Sequence, residues 1–141
     1  MKRIIYLSSS SYFLDEKNLV DLYELSHTNN LKNGITGLFI YSDQDILQVL
    51  EGPSVAVTSL YHKISKDKRH TTIILLFEET IENRYFPDWQ MGFYVVGYED
   101  IQKTQALQDY SKETIQNADA KKLLILLELF LKNHPNPLIF V

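Results

Sequence analysis

Residues 35–52, ITGLFIYSDQDILQVLEG, contain two apolar runs separated by a polar tetrapeptide. The first run, residues 35–41, is apolar nearly throughout, which is typical of a strand covered on both faces or placed in the centre of a sheet. The tetrapeptide SDQD at residues 42–45 turns the chain and leads directly into the second run, residues 46–50. The segment therefore predicts an antiparallel β-hairpin.

One amide, Gln48, lies in the middle of the second apolar run. A buried glutamine whose donors and carbonyl remain unpaired costs about 1–3 kcal/mol, so packing alone gives no reason for this residue. Gln48 therefore predicts a hydrogen-bonding partner inside the protein.

The segment before the hairpin predicts a strand followed by a helix. Residues 2–8 alternate in the manner of a strand, with Tyr6 on one face. Asp15 is placed to cap a helix whose entry is fixed by Leu14 and Leu19, and we expect this helix to end near Asn29 and Asn30.

The segment after the hairpin predicts a second helix and two more strands. The sequence GPS at residues 52–54 ends the hairpin, and an apolar stripe with i, i+3, i+4 and i+7 spacing follows at Val57, Leu60, Tyr61 and Ile64. Residues 71–77 are rich in β-branched side chains, and residues 89–96 alternate. The resulting order, β-α-β-β-α-β plus a fifth strand, predicts a ferredoxin-like α+β fold with both helices on one sheet face.

Residues 98–141 differ in character from the rest of the chain. A polar stretch precedes LLILLELFL at residues 123–131, which is too short to span a bilayer. Two interpretations stay open: a helix that covers the other face of the sheet, or a helix that binds a partner. We predict a domain at residues 1–97 and a C-terminal helical extension at residues 98–141, packed on the same domain.

Composition excludes several classes of function. The 141 residues suit one domain, and without cysteine the chain has no thiol nucleophile and no disulfide. A net charge of -4 and no long basic stripe argue against nucleic-acid binding. Residues 2–7 are too short and too early for a signal peptide, so we expect a cytoplasmic protein without membrane contact.

The polar candidates each have an ordinary structural interpretation beside a functional one. Tyr6 suits a core tyrosine, but if its strand pairs beside the hairpin it could touch Gln48. Asn29 and Asn30 suit helix-capping positions, and an asparagine amide also matches the imide edge of a heterocycle. Lys63 and Asp67 have the spacing of a surface ion pair. The cluster of Lys63, Lys66, Lys68, Arg69 and His70 suits either a phosphate or solubility.

Five separated motifs across residues 2 to about 96 resemble the BLUF family of blue-light sensors that hold FAD. The motifs are IYLS at residues 5–8, NN at 29–30 with NGITG at 33–37, LQVLEG at 47–52, DKRH at 67–70, and Phe86 with WQM at 89–91. The resemblance implies FAD as the cofactor, with FMN or riboflavin as substitutes, and a flavin ring between the two helices. Ile64 and Leu22 would then be its apolar walls.

The resemblance also implies roles for single residues. Tyr6 matches the tyrosine that gives an electron and a proton to the photoexcited flavin, and Gln48 matches the glutamine that bridges this tyrosine to the ring and rearranges to redden its absorption. The matches implied at the cofactor are Asn29, Asn30, Lys63, Asp67, Arg69 and His70. Lys63 departs from the arginine of many members, because a point charge cannot make a planar bidentate contact. Trp89 and Met91 match two signalling positions on the last strand.

Three functional hypotheses follow from the sequence. The first is a short photoreceptor that signals to a separate effector protein and forms homo-oligomers. The second is a light-independent ferredoxin-like interaction module that has lost flavin, against which the presence of both Tyr6 and Gln48 argues. The third is a small hydrolase, which lacks a convincing nucleophile, base or phosphate loop. We therefore expect a sensor that is not an enzyme.

Overall fold

The computed structural model describes residues 1–12, 14–42, 44–88 and 91–95, and within these residues the chain forms five strands and two helices. The elements are β1 (Lys2–Ser10), α1 (Glu16–Asn33), β2 (Thr36–Ser42), β3 (Asp45–Gly52), α2 (Ser54–Lys66), β4 (His70–Thr80) and β5 (Gly92–Val95). No helix in these ranges is long and apolar enough to cross a membrane.

The strands form one sheet in the order β4-β1-β3-β2-β5. The first four strands pair antiparallel, and β5 joins the edge parallel to β2. This arrangement confirms the ferredoxin-like α+β fold with a fifth strand, and it confirms the β2–β3 hairpin predicted from residues 35–52. Because β1 pairs directly with β3, Tyr6 and Gln48 are Cα partners in the ladder.

Helix α1 begins where the sequence predicted and ends later. Asp15 caps it through a reciprocal box with Asn18, in which each side chain accepts from the other residue's backbone N–H. The predicted end near Asn29 and Asn30 was wrong by about one turn, because Gly34 provides the cap. Gly34 adopts the left-handed conformation, with φ 68°, and its N–H donates to the carbonyls of Asn30 and Leu31.

Both helices pack on the same face of the sheet, as predicted. Ile4, Tyr6 and Leu50 of the sheet share one buried cluster with Leu19 of α1 and Val57 of α2. The remaining members of the α2 stripe, Leu60, Tyr61 and Ile64, are partly buried against that cluster. The site residues of the sheet therefore lie beneath the two helices.

Two strands differ in length from the prediction. Strand β4 runs to Thr80 and not only to residue 77, because it pairs with β1 along almost the whole of that strand. Strand β5 begins at Gly92 and not at Trp89. The positions of Trp89 and of residues 96–141 lie outside the described residues, and so does the predicted C-terminal extension. On the sheet face away from the helices, Ile5, Leu38 and Val49 are buried.

Candidate functional site

Three buried side chains, on β1, on β3 and immediately before β5, form a hydrogen-bonded chain. The Tyr6 hydroxyl donates to Oε1 of Gln48, and Nε2 of Gln48 lies 3.6 Å from the sulfur of Met91. Their exposed fractions are 0%, 6% and 3%, respectively, so the contacts are shielded from water. The structure thus places the phenol, the amide and one of the two candidate signalling residues in contact.

Burial keeps the Tyr6 phenol protonated. Removal of the hydroxyl from water raises the pKa of Tyr6 far above its usual range, and nearby Tyr61 and Asp67 act in the same direction. The Tyr61 ring meets the Tyr6 ring edge to face, with the centroids 5.6 Å apart. The phenol is therefore a neutral hydrogen-bond donor to Gln48 across the physiological pH range.

The amide of Gln48 has more donors than it uses here. An amide nitrogen carries two N–H groups, and within the described residues Nε2 contacts only the thioether of Met91, which is a weak acceptor. One N–H of this buried amide has no oxygen acceptor in the ranges that the structure covers. A heterocycle with a carbonyl or ring nitrogen at this point would supply one.

A cavity of about 220 Å³ lies between α1, the end of β1 and the start of β4, and Tyr6, Gln48 and Met91 are not among the residues that line it. Leu22, Leu25 and Ile46 line it with apolar surface, and Arg69 and His70 supply polar and cationic groups at its edge. Ile46 is two residues before Gln48 on β3 and therefore points to the same face of the sheet. The combination of apolar walls and few polar groups is typical of a small-molecule site.

Arg69, in the loop between α2 and β4, lines the cavity and is paired with Asp67. The Nε and Nη2 atoms of Arg69 contact the Asp67 carboxylate at 2.5–3.0 Å, and the pKa of Asp67 is lowered mainly by these hydrogen bonds. Nδ1 of His70 lies 2.9 Å from the Ser8 hydroxyl, and burial lowers the pKa of His70. The helical spacing predicted an ion pair between Lys63 and Asp67, but in the structure Asp67 pairs with Arg69.

The other predicted site residues occupy different environments. Asn30 is buried at 3% exposure in the last turn of α1, whereas neighbouring Asn29 is exposed and its carbonyl accepts from Asn33. Ile64 of α2 is partly buried against the core, and Lys63 is exposed. Trp89 lies outside the described residues.

These residues fit a flavin. The cavity offers apolar walls on Leu22 and Ile46 and a cation on Arg69 at its edge. Gln48 does not line the cavity, but it faces the same side of the sheet as Ile46 and, among the described residues, has an N–H without an oxygen acceptor. The cavity volume suits a ring system and not a whole dinucleotide, so the remainder of an FAD molecule would extend beyond it.

One buried ionic site was missed at the sequence level. Glu51 of β3 is completely buried, and its carboxylate accepts from Nε of Arg3 at 3.4 Å and from the backbone N–H of Tyr85 at 2.8 Å. The signal was present: Glu51 ends the same apolar run that contains Gln48, and the reasoning applied to that amide applies equally to a carboxylate.

Comparison with known proteins agrees with this site. The family model described as BLUF, sensors of blue-light using FAD, matches residues 1–92. A photoactivated adenylate cyclase subunit alpha of Euglena gracilis is 32% identical over 83 residues, which cover 59% of this chain and 8% of the cyclase subunit. The chain thus spans less than a tenth of that relative.

Two solved structures are similar over most of both chains. The ground-state structure of BlsA superposes with a TM-score of 0.72 at 27% identity, covering 92% of this chain and 87% of the other. The dark-state structure of BlrB, a BLUF protein, gives 0.70 at 27% identity, covering 90% and 96%.

Proposed function

Because the chain belongs to the BLUF family of blue-light sensors, we propose that it is a photoreceptor that binds FAD non-covalently and signals through Tyr6 and Gln48 to a separate partner. The observation that supports this proposal is the buried chain of Tyr6, Gln48 and Met91 on the sheet face beneath the two helices. Flavin sensors are among the relatives, and domains of this family are sensory modules.

Cofactor binding would use the residues around the cavity. Leu22 and Ile64 provide apolar contact for a ring, and Asn30 and Gln48 provide amides for its polar edge. Arg69 is held by Asp67 and can face a polar edge or a phosphate, while Lys63 is free to move because it is exposed. FAD, when bound, supplies absorption of blue light and an oxidant that forms only in the excited state.

Tyr6 is placed to be the electron and proton donor. Its phenol is neutral and desolvated, and its proton already points at Oε1 of Gln48, so loss of an electron and loss of this proton can occur together along one hydrogen bond. The carbonyl of Gln48 is the group that receives the proton.

Gln48 is placed to be the switch. In the structure its carbonyl faces Tyr6 and its amide nitrogen faces Met91. Once the carbonyl oxygen of Gln48 holds the Tyr6 proton it is a donor and not an acceptor. Rotation of the amide, or loss of an Nε2 proton to give its tautomer, would then exchange donor and acceptor toward the cofactor. A hydrogen bond given to a flavin carbonyl lowers the excitation energy and reddens the absorption, and the altered contact with Met91 passes the change to β5.

The decisive experiment is optical. The purified protein should be yellow, and blue illumination should move its flavin bands to longer wavelength, with return in darkness. A colourless protein that cannot be reconstituted with FAD would overturn the proposal in favour of the light-independent interaction module. Reconstitution with FAD, FMN and riboflavin in parallel identifies the preferred cofactor.

One variant tests the mechanism separately from the cofactor. Gln48→Leu keeps the apolar run and removes the amide, so it should bind FAD without a light-induced shift. A normal shift in that variant would leave the cofactor assignment standing and remove the amide switch.

A further inference from the structure

Residues 81–88, here called the crossing segment, connect β4 at one edge of the sheet to β5 at the opposite edge. The chain must therefore pass across β1, β3 and β2 before it reaches Met91. Ile81 and Phe86 are buried along the way, with 9% and 7% of their surface exposed. The crossing segment therefore leads the chain across the sheet toward Met91.

Three neighbouring strands present one polar side chain each to the crossing segment. Arg3, Glu51 and Thr36 are successive Cα partners across β1, β3 and β2 and are here called the polar row. Nη2 of Arg3 donates to the Asn83 carbonyl at 3.3 Å. Thr36 Oγ1 accepts from the Arg84 guanidinium at 3.0 Å.

Glu51 is the central member of the row and the one with no exposed surface. One of its carboxylate oxygens contacts Nε of Arg3, and the other accepts the backbone N–H of Tyr85 at 2.8 Å. The Phe86 N–H contributes a further backbone hydrogen bond. The Arg3 guanidinium also lies 4.5 Å from the centroid of the Tyr85 ring, so Glu51 contacts the backbone of Tyr85 and Arg3 contacts its side chain.

A buried ion pair is a poor source of stability, because desolvation of the two charges offsets most of their attraction. Its value lies in geometry, since a carboxylate that accepts backbone N–H groups fixes those groups in one position. Burial raises the pKa of Glu51, while Arg3 and the Tyr85 N–H oppose that rise.

The polar row acts close to the switch. Glu51 is three residues after Gln48 on β3 and faces the opposite side of the sheet, and the crossing segment ends three residues before Met91. We infer that Glu51 is a positioning residue: with Arg3 it fastens the crossing segment and thereby holds the Met91 thioether against the amide of Gln48. The consequence for light sensing rests on the proposed function above, whereas the structural link does not.

The structural link is tested in the full-length protein by methyl NMR. The chain has two methionines, Met1 and Met91, so selective ¹³C-methyl labelling gives two resonances, which a Met91→Leu variant assigns. Glu51→Gln leaves one carbonyl oxygen for two donors, the Arg3 guanidinium and the Tyr85 N–H, so one of the two contacts that fasten the crossing segment is lost. We expect the Met91 resonance to move or broaden in Glu51→Gln, and an unchanged resonance in a folded variant would overturn the inference.

Glu79→Gln is the matched control. Glu79 pairs with the same guanidinium, with Nη1 to carboxylate oxygen at 2.5 Å, and its side chain is 38% exposed. Within the described ranges it forms no hydrogen bond with the crossing segment. It therefore changes the charge beside Arg3 without releasing Tyr85, and the Met91 resonance should stay in place. An equal displacement in both variants would show a general charge effect and overturn the positioning role.

A second variant covers the case in which Glu51→Gln fails to fold. Arg84→Gln removes the hydrogen bond from the Arg84 guanidinium to Thr36 and leaves the buried pair of Arg3 and Glu51 intact. It should displace the Met91 resonance, while Met1 shifts for a local reason, because Nε of Arg84 lies 3.4 Å from the Met1 sulfur. An unchanged Met91 resonance in this variant would overturn the inference that attachment of the crossing segment to the polar row holds Met91 in place.

The photochemical consequence has its own measurement. In the FAD-loaded protein, Glu51→Gln should change the decay rate of the red-shifted state by about threefold or more, and Glu79→Gln should change it less. A wild-type protein without any light-induced shift would refute the proposed function and leave the NMR test valid. A normal shift with identical decay in wild type and Glu51→Gln would refute the coupling alone.

Discussion

Tyr6 and Gln48 lie directly opposite each other on β1 and β3, and the hydroxyl of the first donates to the side-chain carbonyl of the second. The register of the strands creates this contact, since directly opposed residues of an antiparallel pair point to the same face. That face is the one covered by α1 and α2. Strand pairing alone therefore places a neutral phenol and an amide together in a site shielded from water beneath the helices.

Tyr6→Phe should remove the light response and lower stability. The ring still fills its place, but Oε1 of Gln48 becomes a buried acceptor without its donor, which costs about 1–3 kcal/mol. Urea unfolding measures that loss, and absorption spectroscopy of the FAD-loaded variant should show no red-shifted state. Tyr61→Phe is the control, because it removes a hydroxyl from the neighbouring ring and leaves the Tyr6–Gln48 contact intact. A light response in Tyr6→Phe equal to that of wild type would contradict the donor role.

Met91→Leu should keep the fold and lengthen the life of the lit state. Leucine conserves the volume, so the stability change should stay below about 1.5 kcal/mol. The thioether accepts a hydrogen bond from Nε2 of Gln48 in the structure, in the amide orientation that we assign to the dark state. Loss of the sulfur removes this hydrogen bond and destabilises that orientation. Recovery of the dark state should then slow by about twofold or more, as measured by the decay of the red-shifted absorption. A faster decay would show that sulfur favours the other orientation.

Because His70 is partly buried, the free energy of unfolding should fall in mild acid. Burial lowers the pKa of His70 below its value of 6.5 in the unfolded chain. As the pH falls through that value, the unfolded state binds a proton that the folded state does not, so the free energy of unfolding falls between about pH 7 and pH 5. The urea midpoint of His70→Gln should depend less on pH in this range than that of wild type. An equal slope in His70→Gln and wild type would contradict this role of His70.

The hairpin and the order of elements were predictable from sequence because they follow from local patterns. Gln48 was predictable as a buried group because an amide interrupts an apolar run. The polar row was not predictable, since Arg3 and Thr36 are brought to Glu51 only by strand register. The partner of Asp67 was missed for a related reason: helical spacing favours Lys63, but α2 ends at Lys66 and the turn brings Arg69 back to the carboxylate. Loop geometry of this kind has no periodic signal.

Gly37→Ala should disrupt the hairpin on which the site depends. A Cβ at this position would lie 1.9 Å from the backbone carbonyl oxygen of Val49, so β2 and β3 must separate to admit it. We expect a loss of about 3 kcal/mol or more in the free energy of unfolding, since backbone atoms and not a flexible side chain must move.

Gly34→Ala is the comparison for that variant. Its Cβ would meet only the ring of Pro53, at 3.8 Å, and the cost is that of the left-handed conformation, about 1–2 kcal/mol. Denaturant unfolding of both variants should therefore rank Gly37→Ala as the more damaging. If the two losses were equal, the close approach of β2 and β3 at Gly37 would not be a constraint on the fold. Because Gln48 precedes Val49 in the same strand, the Gly37 variant should also weaken flavin binding, whereas the Gly34 variant should leave it in place.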